Sequence, residues 1–236
     1  MNRVQLWALA CPVRVQPGED LTTLLMESLV AGGLELQAHD VVVVTSKVVA
    51  KSEGRVVPFD GTDEDKARIV EAETVRLLRR RGELRITETA HGFVNANAGV
   101  DLSNADAGTA VLLPVDPDRS ARRIRAELGR RGAPDVAVVV TDTFGRAWRN
   151  GVTDVAIGSA GLTPILDLRG TLDDGGKILH ATEVAIVDEI AAAANLVLAK
   201  DAGTPFALVR GIDERWFGPG SVGDSVVRRA SDDLFR

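Results

Sequence analysis

Three polar segments follow directly on hydrophobic runs, and the most specific is Val140-Thr141-Asp142-Thr143-Phe144-Gly145-Arg146-Ala147-Trp148-Arg149-Asn150-Gly151. An aspartate ending a hydrophobic strand stands where many phosphoryl-transfer proteins hold magnesium. The hard ion needs oxygen ligands and keeps phosphate oxygens and water as well. Thr143 adds a hydroxyl, and Arg146 and Arg149 can neutralise developing phosphate charge. The structural alternative has Asp142 capping the next turn and both arginines in surface salt bridges.

The segment Val44-Thr45-Ser46-Lys47-Val48-Val49-Ala50-Lys51-Ser52-Glu53-Gly54-Arg55 places two lysines among hydroxyls at a strand end. Lysine supplies point charge and the hydroxyls and backbone N–H groups supply hydrogen bonds, which together make a phosphate cradle or an ordinary strand end. In His91-Gly92-Phe93-Val94-Asn95-Ala96-Asn97-Ala98-Gly99-Val100-Asp101-Leu102-Ser103-Asn104, small residues alternate with asparagines. Asp101 can hold a hard cation and Asn104 can bond a nucleotide, or the stretch is an Asx-rich turn.

Absences narrow the chemistry. There is no G-x-x-x-x-G-K-[ST] loop: Gly170–Lys177 places its lysine one residue late, lacks the following hydroxyl and reads as a turn. His39, His91 and His180 lack zinc spacing and read as structural. No nucleophile elbow is present.

Buried strands are expected to position these segments. Val41–Val44 and Val136–Val140 are short β-branched runs bounded by polar residues, and Val4–Ala10, Ala110–Leu113 and Phe206–Val209 are further candidates. Helices are predicted over Leu21–Val30, from Thr62 to Arg79-Arg80-Arg81-Gly82, over Ser120–Arg131 and over Val184–Leu198. This intermixing indicates an α+β (mixed α/β) protein. The loop Gly218-Pro219-Gly220-Ser221 leaves a C-terminal segment that packs separately or forms an adaptable arm.

The 236 residues suit one large domain or two small ones, with 45% hydrophobic and 26% charged residues as in soluble globular proteins. A net charge of -6 argues against a general nucleic-acid binder, while permitting a local basic pocket. Cys11 alone permits no internal disulfide, which fits a reducing, cytoplasmic setting. No apolar run approaches the ~20 residues of a membrane span, and the N-terminus reads as a strand rather than a leader.

Together the stretches VVVVTSKVVAKSEGRVV, HGFVNANAGVDLSN, LLPVDPDRSARRIR, VVVTDTFGRAWRNGVTDVAIGSAG and ATEVAIVDEIAAAANLV resemble the coenzyme F420:L-glutamate ligases, or gamma-glutamyl ligases. The likeness runs in order from about residue 4 to 212. It implies a non-P-loop nucleotide-binding fold assembled as an intertwined homodimer. It also implies a single ligase unit over residues 1–236, of one body or two subdomains, without the fused C-terminal flavin-reductase-like domain of some homologues.

The implied reaction uses GTP to convert a carboxylate of the glutamate-free deazaflavin precursor to an acyl phosphate. The amine of L-glutamate then attacks, and some members add further gamma-linked glutamates. The implied cofactors are two divalent cations (Mg2+ or Mn2+) and a monovalent cation such as K+. Residue by residue, Asp101, Asp142 and Thr143 match metal ligands, with Asp101 and Asp142 catalytic, and Ser46, Lys51 and Asn104 match nucleotide-binding positions.

Cys11, Pro12, Val13 and Arg14 match a further GTP-contacting loop. There the family commonly has Gly-Leu-Pro or Gly-Ile-Pro followed by an acidic residue, a departure that bears on selectivity for guanine. Arg146, Arg149 and Glu183 are secondary candidates. Two other readings are a diverged GTP-dependent amide ligase acting on another carboxylate and a non-catalytic nucleotide-binding protein.

Overall fold

β-Branched runs without polar side chains need cover on both faces, and here they become the central strands. The computed structural model describes residues 3–11, 13–102, 108–198 and 203–234. In chain order these form β1 (Gln5–Leu9), α1 (Leu21–Ala31), β2 (Val41–Thr45), α2 (Ser46–Ser52), β3 (Val56–Pro58), α3 (Asp63–Ala72), β4 (Thr74–Arg81), β5 (Leu84–Thr89) and β6 (Val94–Ala96). There follow β7 (Thr109–Val111), α4 (Pro117–Arg130), β8 (Ala137–Arg146), β9 (Arg149–Ala160), β10 (Leu166–Asp167), β11 (Glu183–Val184), α5 (Ile186–Ala194), β12 (Phe206–Arg210) and α6 (Val222–Ser225). The mixed α and β class read from the sequence is the class observed.

The main sheet has the order β1-β12-β2-β8-β9. Only β2 and β8 run parallel; the other pairs are antiparallel. Val41–Val44 and Val138–Val140 are fully buried. Each such valine contributes about 1.5–3 kcal/mol by leaving water. At the start of β2, buried Asp40 accepts two hydrogen bonds from Arg210, Nε to Oδ1 and Nη2 to Oδ2, both 2.7 Å, tying β2 to β12. Smaller sheets, β3-β7 and β4-β5-β6, lie in the long connection between β2 and β8.

Helix α4 begins three residues earlier than the predicted Ser120. Asp116 accepts the Arg119 N–H as N-cap and Pro117 fills the first turn, where its missing N–H has no cost. Its buried stripe, Ala121, Ile124 and Leu128, packs on β8 and β9. The approach is so close that a Cβ at Gly158 would lie 2.3 Å from the Pro117 carbonyl carbon.

Three expectations need correction. The helix from Thr62 stops at Ala72, and Thr74–Arg81 is strand β4. Arg81 pairs with Leu84, so Gly82-Glu83 is a two-residue hairpin loop with Gly82 at φ +59, and the glycine serves a hairpin turn rather than a helix end. The fourth helix is shorter, because Glu183–Val184 pairs with β10 as β11. The C-terminal segment is no separate arm. Val222 is 1% exposed, and the Val222 and Gly223 N–H groups both donate to Asp118 of α4, each at 2.9 Å.

Candidate active site

Parallel pairing aligns Thr45 of β2 with Thr141 of β8, so Ser46 and Asp142 emerge side by side. The carboxyl ends of parallel strands are the usual place for ligands in open α/β sheets. Here Ser46 Oγ donates to Asp142 Oδ1 at 2.8 Å. Burial pushes the Asp142 carboxyl up to about 6; the Ser46 hydroxyl and a Thr143 backbone hydrogen bond pull it down, and the charges of Asp154 and Asp101 push it further up. Asp142 is therefore an acid that burial and two neighbouring carboxylates hold towards its protonated form.

Asp101 reaches this edge through a strained turn. Asn97, Ala98 and Gly99 have φ of 51, 53 and 71°. The turn is held by Thr87 Oγ1 accepting the Ala98 N–H at 2.9 Å and Asn97 Oδ1 accepting the Arg85 N–H at 3.0 Å. A Cβ at Gly99 would lie 2.7 Å from the Leu113 side chain. The chain then bridges Asp101 to Val111, with reciprocal N–H to O bonds of 2.8 and 2.9 Å. This delivers the Asp101 carboxylate to Lys47, Nζ to Oδ2 being 2.5 Å. Lys51 lies one turn beyond Lys47 on the same face of α2.

Asp154 is the residue that sequence reasoning missed. It lies opposite Thr143 in the β8–β9 register, is 4% exposed, and accepts the Thr143 hydroxyl proton at 2.7 Å. Strand alternation sends Asp142 and Thr143 to opposite faces of β8, yet the Asp154 charge still acts on Asp142. The available signal was an aspartate in the β-branched stretch Val152–Val155, and only the register shows what it faces.

The remaining candidates divide. Cys11 sits on the same sheet edge: its N–H bonds Gly203 O, while the Thr45 N–H bonds Pro205 O, both at 3.0 Å. Val13 and Arg14 follow on the surface; Pro12 and Asn104 lie outside the described residues. Arg146 and Arg149 face each other across the hairpin tip, with Arg146 four residues from Asp142, or about 13 Å along the strand. Glu183 bonds Arg169 at 3.2 Å in the β10–β11 pair and is not brought to Asp142. His91 Nε2 contacts the Pro114 and Val115 carbonyls, consistent with a structural role.

Among the described residues, no three of His, Cys, Asp and Glu form a metal cage. Magnesium needs no such cage, because it uses one or two carboxylates and completes its shell with phosphate and water. Asp101 and Asp142, with the Ser46 hydroxyl bonded to Asp142, offer oxygen ligands of that kind, while the Thr143 hydroxyl is turned to Asp154.

A family model described as F420-0:Gamma-glutamyl ligase matches residues 11–211. The Coenzyme F420:L-glutamate ligase of Methanopyrus kandleri is 39% identical over 242 aligned positions, covering 94% of each chain. That of Methanothermobacter thermautotrophicus is 38% identical, covering 84% of each. That of Haloarcula marismortui is 36% identical, covering 99% of this chain and 96% of its own. With the polar edge of β2 and β8 lying inside the matched span, the chain belongs to the F420-0:gamma-glutamyl ligase family.

Proposed function

We propose that this protein ligates L-glutamate to a carboxylate of a deazaflavin precursor of coenzyme F420 in a GTP-dependent reaction. The carrying observation is the joint placement of Ser46–Asp142 and Lys47–Asp101 at the carboxyl edge of the parallel strand pair, in a chain of this family. Bound divalent cations would supply the positive charge that brings triphosphate and carboxylate together. Asp101, Asp142 and Thr143 are the residues to hold them. Lys47 and Lys51, on one face of α2, stand beside them as phosphate partners.

In this reading the precursor carboxylate oxygen attacks the γ-phosphorus and GDP leaves. The glutamate amine then attacks the activated carbonyl carbon, phosphate leaves, and the amine gives up a proton as the amide forms. The rigid strand ends fix the reacting groups before chemistry, which is where orientation lowers a barrier. We further propose that the protein works as a homodimer, supported by the exposed apolar side chains Val75, Leu77, Trp148 and Val152.

The test incubates the protein with GTP, magnesium or manganese, L-glutamate and the precursor, and weighs the products. The expected result is precursor plus glutamate less water, with one GDP per bond. Asp142→Ala should abolish turnover while leaving the fold intact. GDP release with a different acceptor would favour a diverged ligase, the reading to which the altered loop at Cys11 is relevant. No GDP release with any acceptor would sink both.

A further inference from the structure

Lys47 and Asp101 make the closest ion pair at the candidate site, 2.5 Å between Nζ and Oδ2, with both side chains only partly exposed. Asp101 is also one of two carboxylates whose charge acts on Asp142. Without a cation, these acids repel one another across a poorly solvated edge, and the Lys47 ammonium supplies one compensating charge. It does so at the carboxylate read above as a cation ligand. A divalent ion bound to Asp101 would meet that ammonium as a like charge at close range. The lysine stem is long and flexible, and its backbone sits beside Ser46, so the ammonium can leave Asp101 while its anchor stays fixed.

We propose that Lys47 is a built-in stand-in for the cation: it holds the place at Asp101 when the ion is absent and is displaced when the ion arrives. The displaced ammonium becomes available to the phosphates that accompany the ion. Cation and nucleotide therefore bind more tightly together than either binds alone, and by linkage the coupling is reciprocal. The inference rests on the reading of Asp101 as a cation ligand, and the experiment separates the two.

Manganese binding is titrated by electron paramagnetic resonance at low salt, first without nucleotide and then with GDP. Lys47→Met should bind manganese alone at least about 5-fold more tightly than wild type, because the competing charge is gone. The gain on adding GDP should shrink by a similar factor. Lys47→Arg, which keeps the charge, should stay near wild type. In an Asp101→Asn background, Lys47→Met should bring no gain.

Thermal melts confirm folding, and Lys47→Gln serves the same test should Lys47→Met fail to fold. An unchanged or weakened manganese affinity in the folded variant overturns the proposal, since removing an ammonium that competes for Asp101 must tighten ion binding. No manganese binding by wild type, with or without GDP, would instead overturn the reading of Asp101 itself.

Discussion

Asp142 is held by burial and by two neighbouring carboxylates in a state that resists ionisation, with its carboxyl pushed up to about 6. Such a raised carboxyl binds a proton more tightly folded than unfolded. Its contribution to stability is fully present below the unfolded value of 3.8 and is lost as pH rises through about 6. In metal-free protein, urea denaturation should show stability falling across this window by up to about 3 kcal/mol from this group. Asp142→Asn should flatten that slope and leave the metal-free protein more stable than wild type at pH 8. An unchanged slope would remove Asp142 as its source. Asp154 invites a different test, because its contact with Thr143 needs an acceptor but not a charge. Asp154→Asn should keep that hydrogen bond and fold normally. Asp154→Ala leaves a hydroxyl beside an emptied, buried position and should cost about 1–3 kcal/mol in denaturant.

Strand-to-strand ties make the element scale equally testable. The Asp40–Arg210 pair joins β2 to β12 with Asp40 wholly buried, so Arg210→Met strands a carboxylate in the core. The expected loss is roughly 3–5 kcal/mol, read as a lower denaturant midpoint with an unchanged slope. At the strained turn, Gly99→Ala meets a left-handed backbone and the Leu113 side chain together. A destabilisation of about 1–3 kcal/mol is expected. If Asp101 is the cation ligand proposed above, the metal concentration needed for half-maximal rate should rise more than the nucleotide concentration does. A purely global loss of stability would not separate the two.

At the scale of the whole molecule, the main sheet separates duties between its ends. The end carrying Asp40 and Arg210 is clamped, and the opposite end gathers Ser46, Asp142, Lys47 and Asp101. No helix among the described residues is long and apolar enough to cross a membrane. Exposed Val75 and Leu77 lie on β4, while Trp148 and Val152 lie at the β8–β9 hairpin. If this surface supports the proposed homodimer, Leu77→Arg with Trp148→Arg should shift sedimentation velocity from dimer to monomer. A wild-type monomer at micromolar concentration would sink that part of the proposal.

Local signals suffice for the central strands and the mixed class, because β-branched runs bounded by polar residues are contiguous in the chain. The family motifs were legible for the same reason, as they are contiguous. What the sequence misread were positions where distant pairing overrides local preference. The arginine run 74–81 reads as a helix end but is a strand, because its partner begins just past a two-residue turn. Beyond Val140 the sequence shows only a polar segment, since its threonines, aspartates and glycines give no strand signal until Thr143 is set against Asp154. The Lys47–Asp101 contact spans more than fifty residues, far beyond the windows of roughly 11–18 residues in which periodicity is read. Tertiary structure alone decided which charges face one another, because a carboxylate's properties depend on the neighbours that folding brings to it.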